Sequence, residues 1–339
     1  MTIRRLGTAA LLIAMLGALP AAAQIVKRAQ AGFRFLENPV SAEAVGRGGV
    51  GVALMTNSNA VYWNPAGIAW IPQTADISVN YTKGIAGINY FAPAVALKLW
   101  DFGVVAFSGT IMDYGEFHGT QRANNDAGFV ETGSFSPKAV ALGVAFSQKV
   151  SDRFSYGVNL KYAYQNLGSA TVGISGNDLS DPNLQTGTVS YTKGEPAVDI
   201  GAYYDFQYHG IRFGAALQNI SRELKYEVEK FPMPFSVNFG ATIDPLSFFL
   251  DSKEHSFIFS VESRHPRDFQ EKIKAGVEYR YQDFLTVRTG YMSNSDERGF
   301  TAGVGVAQDF RDLGMRVDYA YEAFGLFGGA HYITLGFAY

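Results

Sequence analysis

The sequence predicts an all-β protein that crosses a membrane as an antiparallel β-barrel of about fourteen strands, with an N-terminal plug or hatch segment inside the barrel. Three observations carry this prediction. The chain begins with an export signal, no later apolar run is long enough for a transmembrane helix, and apolar and polar residues alternate from Thr74 onward. The predicted divisions are a signal peptide at 1–23, a plug at 24–73 and a barrel at 74–339.

The first residues have the three parts of a secretory signal peptide. Arg4 and Arg5 supply the positive charge, and residues 9–19 form an apolar run that is too short to span a bilayer. The small residues Ala21 and Ala23 precede the predicted cleavage site. We therefore expect export from the cytoplasm, and the barrel then predicts the outer membrane of a Gram-negative-type bacterium.

Composition narrows the class of protein. Hydrophobic residues make up 47% of the chain and aromatic residues 14%, with 37 glycines, no cysteine and a net charge of −3. The charge gives no basic field for nucleic acid, so no nucleic-acid partner is expected. An exported, aromatic-rich chain without a transmembrane helix is either a soluble β-protein or a membrane barrel.

The alternation in residues 271–282 favours the membrane barrel, because it separates an apolar face from a charged one. A lipid-facing Arg or Lys costs roughly 2–4 kcal/mol at mid-bilayer, so the charged face is predicted to point inward. The same split recurs in residues 313–322. These charges either form a salt-bridged network that holds the plug, which the need to pair buried charges favours, or line a polar pathway. The predicted lumen charges are Lys274, Glu278, Arg280, Arg288, Arg316, Asp318 and Glu322.

The connections between predicted strands alternate in length. Tight turns include 151–152 and 311–312, whereas 113–136 and 168–194 are long and polar. Short periplasmic turns and longer outer loops are typical of outer-membrane barrels. The predicted strands lie near 74–82, 87–99, 101–112, 137–149, 153–166, 195–207, 210–219, 235–244, 255–263, 271–282, 284–292, 299–309, 313–322 and 330–339.

The last predicted strand alternates clearly and ends on an aromatic residue. Ile333, Leu335, Phe337 and Tyr339 are predicted to face lipid. The alternative is the final strand of a soluble sandwich. Phe337 and Tyr339 resemble the C-terminal signature by which outer-membrane barrels are recognised for assembly. The expected partners are therefore outer-membrane lipid and the barrel-assembly machinery.

The third predicted strand breaks its own alternation. Phe102 and Val104 have one parity, whereas Val105 and Phe107 have the other, which predicts a β-bulge. Pro93 in the neighbouring strand cannot donate to a ladder. Pro93, Val104 and Val105 are therefore candidates for a lateral-gate defect in the wall. The alternative, which the usual role of bulges favours, is a bulge that only adjusts barrel curvature.

The stretch 46–70 is the predicted centre of the plug, although an ordinary glycine-rich loop before a helix end is the alternative. Its glycines are expected to let the backbone approach the wall or reach positive φ. Three of them fit the dinucleotide fingerprint G-x-G-x-x-G, but no buried strand precedes them and no acidic residue follows at the required distance. Pro65 disfavours helix at Asn64, so a short helical turn should end there. The glycines are Gly46, Gly48, Gly49 and Gly51, and the motif that follows is Asn64, Pro65, Ala66 and Gly67.

Residues 31–53, AGFRFLENPVSAEAVGRGGVGVA, and residues 59–70, NAVYWNPAGIAW, resemble the PorV/PorQ family of outer-membrane proteins, which belongs with the FadL-like transporters. The family's Asn-Pro-Ala plug motif falls on Asn64, Pro65 and Ala66. The PorV/PorQ resemblance implies a part in type IX secretion, in which the barrel binds secreted cargo or the translocon. The FadL-like alternative implies passive transport of long-chain fatty acids or other hydrophobic small molecules through a wall defect near strand three. The polar loop 168–194 favours the first.

No catalytic or metal-binding pattern is present in the sequence. The five histidines have no metal-ligand spacing, and no G-x-S-x-G motif occurs. We therefore expect no enzyme activity, no cofactor and no metal. A surface enzyme or a purely structural barrel is the third hypothesis.

Overall fold

The computed structural model describes residues 31–173, 183, 185–226, 229–250, 252, 254–295 and 298–339. The predicted signal peptide lies outside these residues. Among them, no helix is long and apolar enough to cross a bilayer. The strands are β1 Ala75–Lys83, β2 Asn89–Leu99, β3 Gly103–Asp113, β4 Phe117–Arg122, β5 Phe129–Phe135, β6 Lys138–Lys149, β7 Phe154–Gly173, β8 Thr186–Asp205, β9 Arg212–Ile220, β10 Leu224–Lys225, β11 Lys230–Phe231, β12 Ser236–Ile243, β13 His255–Pro266, β14 Lys272–Tyr281, β15 Leu285–Met292, β16 Phe300–Phe310, β17 Leu313–Ala323 and β18 Gly329–Ala338.

Fourteen of these strands form a closed antiparallel barrel, which confirms the predicted fold class. Their order around the ring is β1, β18, β17, β16, β15, β14, β13, β12, β9, β8, β7, β6, β3, β2. The β4–β5 and β10–β11 hairpins form two small separate sheets. All the predicted strands are present, with bounds that agree within about three residues except where β7 and β8 face each other.

The two faces of the wall follow the predicted alternation. In β14, Lys274 and Glu278 are 6% and 1% exposed, whereas Ile273 and Tyr279 are 41% and 38% exposed. The charged residues therefore point into the barrel and the apolar residues point outward, as the cost of a charge in lipid requires. In β18, Tyr332 and Thr334 likewise face inward while Ile333 and Leu335 face outward.

The two ends of the barrel differ in height. At the terminus end, where β1 begins and β18 finishes, the turns include 282–284 and 311–312. At the opposite loop end, β7 and β8 are each 20 residues long. A tilted strand needs only about 9–11 residues to cross a bilayer, so this hairpin extends well beyond the membrane.

Residues 31–73, called the N-terminal segment below, contain only short helical elements. These are the 3₁₀ turns Arg34–Glu37, Ser58–Tyr62 and Pro65–Trp70 and the α-helix Ala42–Val45. Asn64 is extended, with φ −148° and ψ 104°, as the residue before a proline prefers. The prediction that a helical turn ends before Asn64 is confirmed.

The predicted β-bulge at Val104–Val105 is wrong. The pairing of β3 is in continuous register with β6, and its pairs with β2 on both sides of residues 92–93 keep one register. Phe102 belongs to the turn Trp100–Phe102 that precedes β3, which explains the apparent change of parity. Val104 faces inward into a core cluster that includes residues of the N-terminal segment, and Val105 faces outward.

Candidate functional site

The N-terminal segment packs against the inward-facing side of every barrel strand. At one side, the Ala42 N–H donates to Thr334 Oγ1 in β18 at 2.9 Å, and the Ser58 N–H donates to Asp76 Oδ1 in β1 at 2.8 Å. On the far side, the turn Pro65–Trp70 lies against β6, β7 and β8. The segment meets the remaining strands through hydrogen bonds, close approaches of the two backbones, or packing of apolar side chains. The segment therefore contacts the wall around its whole circumference.

Glycines permit the closest of these contacts. Gly48 and Gly49 have φ of 73° and 79°, a region that favours glycine. A Cβ added to Gly48 would meet the Tyr291 backbone at 2.9 Å, and one added to Gly290 of β15 would meet Gly48 N at 2.1 Å. The Gly46 Cα lies against Gly303 of β16 in the same way. Backbone meets backbone here, so a side chain on either partner would force the segment and wall apart.

The Asn-Pro-Ala-Gly motif ties the segment to the β6–β8 side of the wall. The Asn64 side-chain amide donates to the carbonyl oxygens of Val52 and Ala202, at 2.8 and 2.9 Å, while its oxygen accepts from the Ala66 N–H. The Ala66 carbonyl accepts from Ser155 Oγ at 2.8 Å. A Cβ on Gly67 would meet the Met55 carbonyl at 2.2 Å. The motif is therefore buried and fully engaged inside the protein.

A charge-balanced network lies between the segment and the β14–β18 wall. Glu278 is the centre, because its carboxylate accepts from Arg47 of the segment and from Arg280 and Arg288, at 2.8 and 2.7 Å for the last two. Arg288 also pairs with Asp318. The network consists of Arg47, Arg280, Arg288, Arg316, Glu43, Asp76, Glu278 and Asp318.

Pairing is what makes these buried charges tolerable. Arg47 and Glu278 are each 1% exposed. In the segment, burial would raise the pKa of Glu43, but the neighbouring Arg47 and Arg288 outweigh it and lower the pKa. Arg316 donates two hydrogen bonds to Asp76, at 2.7 and 3.0 Å. These bonds join β17 to β1 across β18, at the β1–β18 pairing that closes the ring, called the seam below.

Glu262 of β13 forms a second buried anchor. Its Oε2 accepts from the Gly51 and Val52 N–H groups at 2.8 and 3.0 Å. Its other oxygen accepts from Lys274 at 2.7 Å, and the same ammonium donates to the Gly49 carbonyl. The last predicted lumen charge, Glu322, accepts from the Tyr332 hydroxyl at 2.7 Å.

The wall between β2 and β3 is interrupted at Pro93. The pairs of β2 with β3 skip residues 92 and 93, because Pro93 has no N–H to donate. The Tyr62 hydroxyl of the segment lies 2.7 Å from the Pro93 carbonyl oxygen and 2.8 Å from that of Gly109. Burial raises the pKa of Tyr62, so its proton stays in place. A tyrosine hydroxyl thus replaces the missing backbone donor.

A cavity of about 390 Å³ lies between the N-terminal segment and the wall. It extends from Phe269 and Ser295 at the loop end to Gly49 and Val52 deeper in the barrel, and it borders Tyr62. Its size is that of a small-molecule pocket. Polar and charged side chains from β7 to β14 form much of its lining.

Several of these residues were missed in the sequence. Glu262 and Asp76 stand at inward positions of alternating strands, so parity alone was a usable signal for both. Arg47 and Tyr62 gave no signal, since their partners are distant in the sequence. Pro93 lies at the interrupted pairing, whereas Val104 and Val105 do not. Phe337 pairs with Ile77 and Met315 beside the seam. In the part of the chain that is described, no group of three His, Asp or Glu residues could hold a metal.

Comparison with known proteins gives one matching family and a set of solved structures with the same fold. The family model described as type IX secretion system membrane protein PorP/SprF matches residues 55–337. No curated protein matches the chain at a significant level.

Solved outer-membrane barrels share the fold. The Ralstonia pickettii toluene transporter TbuX aligns with a TM-score of 0.56 and 17% identity, over 91% of this chain and 98% of that one. A Pseudomonas aeruginosa FadL homologue aligns with a TM-score of 0.55 and 14% identity, over 88% and 98%. The Pseudomonas putida toluene transporter TodX gives 0.54 and 12%, over 93% and 98%.

Proposed function

Because the chain belongs to the type IX secretion system membrane protein PorP/SprF family, we propose that it acts in type IX secretion as an outer-membrane barrel that binds exported proteins at its loop end. The observation that carries the proposal is the seating of the N-terminal segment. Hydrogen bonds and ion pairs join this segment to the wall on opposite sides of the barrel. A segment held in this way acts as a fixed plug, so the protein offers a binding surface and no wide channel.

The loop end supplies a suitable surface. The β7–β8 hairpin rises beyond the membrane, and the β4–β5 hairpin precedes it in the chain. Phe117 and Phe135 of the β4–β5 hairpin stack with ring centroids 5.7 Å apart, and Phe117 and Phe129 are 46% and 45% exposed. Exposed aromatic residues on a projecting element are typical of protein-binding sites.

A finer proposal is a PorV/PorQ-like role, in which the barrel passes bound cargo on to the cell surface. It rests on the resemblance of residues 31–53 and 59–70 to that family. The plug motif Asn64–Ala66 belongs to this resemblance and to the matched region alike. The expected partners are then exported proteins or the translocon.

The test is secretion in the native host. Deletion of the gene should leave type IX cargo inside the cells, and the wild-type gene should restore secretion. A variant in which a Gly-Ser linker replaces residues 117–135 should give folded, heat-modifiable barrel but little secretion. Normal secretion in the deletion strain would contradict the proposed function, and full rescue by the linker variant would contradict docking at this hairpin.

A second candidate function is passive transport of hydrophobic compounds, and the interruption at Pro93 favours it. The β2–β3 wall there lacks a backbone hydrogen bond, and the Tyr62 hydroxyl closes the gap. This function would use the gap as a lateral gate. It predicts uptake of labelled oleate or toluene above an empty-vector control, with Tyr62→Phe raising the rate. Uptake equal to that of the control rejects it.

A further inference from the structure

The cavity beside the N-terminal segment has an uneven charge, unlike the balanced network nearer the terminus end. Among the described residues, its lining holds six cations and three carboxylates. The cations are Arg34, Lys161, Arg264, Lys272, Lys274 and Arg298, and the carboxylates are Glu37, Asp199 and Glu262.

Most of these cations have carboxylate partners. Lys161 pairs with Asp199 at 2.8 Å, Lys274 with Glu262 at 2.7 Å and Arg264 with Glu37 at 3.1 Å. Two acids outside the lining complete the set, because Asp268 lies 2.9 Å from Arg34 and Glu322 lies 4.0 Å from Arg298.

In the described part of the chain, no carboxylate lies within ion-pair distance of the Lys272 ammonium, and Glu37, the acid that attracts it, already pairs with Arg34 and Arg264. The ammonium nitrogen lies 5.6 Å from the centroid of the Phe269 ring. Lys272 is half-buried at the loop end of β14, where Arg264 and Arg298 also line the cavity. A half-buried ammonium among other cations favours a counter-ion, so the lining has room for one negative charge.

Side chains of β7 and β12 offer hydrogen-bond acceptors. The side-chain oxygens of Asn159 and Asn238 are buried and have no hydrogen-bond partner. Each side-chain nitrogen already donates, that of Asn159 to Asp199 and that of Asn238 to Gln218. The atom without a hydrogen-bond partner is therefore the side-chain oxygen in both residues. Gln218 is held in turn by the Tyr62 and Trp63 carbonyls. Asn159 and Asn238 both line the cavity, so a hydrogen-bond donor that reached into this part of the lining would satisfy these two oxygens.

We propose that the cavity binds a small hydroxylated monocarboxylate, such as a sugar acid. The carboxylate lies beside Lys272, and its hydroxyl groups face the polar wall that contains Asn159 and Asn238. This site is distinct from the protein-binding hairpins and does not depend on the proposed part in secretion. Solute reaches it from the loop end, because Phe269, Lys272 and Ser295 line that end of the cavity.

Binding of D-glucuronate to the purified full-length barrel in detergent tests the proposal, with D-glucose as the neutral analogue. Isothermal titration or saturation-transfer NMR should show saturable binding of glucuronate and much weaker binding of glucose. Equal binding of the two sugars, or no saturable binding of glucuronate, overturns the proposal without recourse to any variant.

Two lysine variants locate the site. Lys272→Gln should weaken glucuronate binding about tenfold, as expected for loss of a charge-assisted hydrogen bond. Lys225→Gln removes the same charge from an exposed position in β10 that does not line the cavity, so it should bind like the wild type. Heat-modifiability checks that both variants are folded. Unchanged affinity in Lys272→Gln, or an equal loss in both variants, contradicts the proposal.

Discussion

The N-terminal segment meets two unlike walls. At β13 and β14 it is held by charged groups, namely Glu262, Lys274 and Glu278. At β2 and β3 it meets small apolar side chains and the interrupted pairing under Tyr62. Around the ring, five strands separate these two places in either direction. The charged anchor and the interrupted pairing at Pro93 are therefore diametrically opposite.

The charged attachment of the segment and the interrupted strand pairing thus lie on different walls. Breaking a buried ion pair leaves an uncompensated charge, so the β13–β14 wall resists displacement of the segment. At Pro93, by contrast, the Tyr62 hydroxyl contributes about one hydrogen bond between β2 and β3, and ladder pairs on both sides hold the rest of this wall. Loss of the Tyr62 hydrogen bond is therefore expected to affect β2–β3 locally and to leave the anchor on the opposite wall intact.

The largest effect on folding is expected from shortening β18, because its pairings with β1 and β17 close the ring that contains both walls. Removal of Phe337–Tyr339 deletes pairs of β18 with both β1 and β17, and it removes the predicted assembly signal. We expect no folded, heat-modifiable protein in the outer membrane. Tyr339→Phe keeps a terminal aromatic residue and should assemble normally. A normal folded yield from the truncated chain would count against the signal.

Glu278→Ala should destabilise the charged wall by about 3–5 kcal/mol, because it leaves Arg47, Arg280 and Arg288 without their shared carboxylate. Urea unfolding in detergent measures the change. Glu254→Ala, at an exposed position, is the control and should change the free energy of unfolding by less than about 0.5 kcal/mol. Similar changes in the free energy of unfolding for the two variants would contradict the role of Glu278 as an anchor.

Asn64→Ala should cost about 1–3 kcal/mol, less than loss of Glu278, because it removes the side-chain donor from the Val52 and Ala202 carbonyl groups. Asn89→Ala, at the loop end of β2, is the matched control on the same half of the ring. Unfolding measurements under the same conditions rank the two walls. A larger loss for Asn64→Ala than for Glu278→Ala would reverse the comparison.

Tyr62→Phe should have the smallest global effect, about 0.5–1.5 kcal/mol, since it removes one hydroxyl. Its local effect should be clear, because hydrogen exchange should rise in β2 and β3 near Pro93 and Gly109 and remain unchanged in β14. Tyr81→Phe, whose hydroxyl contacts Asn89 on the exposed side, is the control. Exchange that rises equally in β14 would show that Tyr62 supports the whole segment.

The sequence predicted the barrel well because lipid imposes a simple alternation on each strand. Every barrel strand was found, and the inward positions of Lys274 and Glu278 followed from their parity. Beyond the membrane this constraint ends, so the outer halves of β7 and β8 and the β4–β5 hairpin were predicted as polar loops. The β4–β5 hairpin, for example, is largely exposed on both faces, and no period-two contrast marks it as strands.

The interior was harder to predict than the wall. That Arg47 would meet Glu278, or Tyr62 the Pro93 carbonyl, depends on how the segment is seated, which no local pattern encodes. The false bulge at Val104–Val105 arose because a turn residue, Phe102, was counted as part of the strand. Pro93 was identified correctly as a residue that cannot complete a ladder, because its chemistry is local.

The contacts of the N-terminal segment across the seam have a consequence for biogenesis. Ser58 is bonded to Asp76 in the first barrel strand, and Ala42 is bonded to Thr334 in the last. The segment thus bridges the two strands whose pairing closes the ring. Once that pairing forms, the segment can leave only lengthwise through an open end. We therefore expect the segment to enter the barrel before the ring closes.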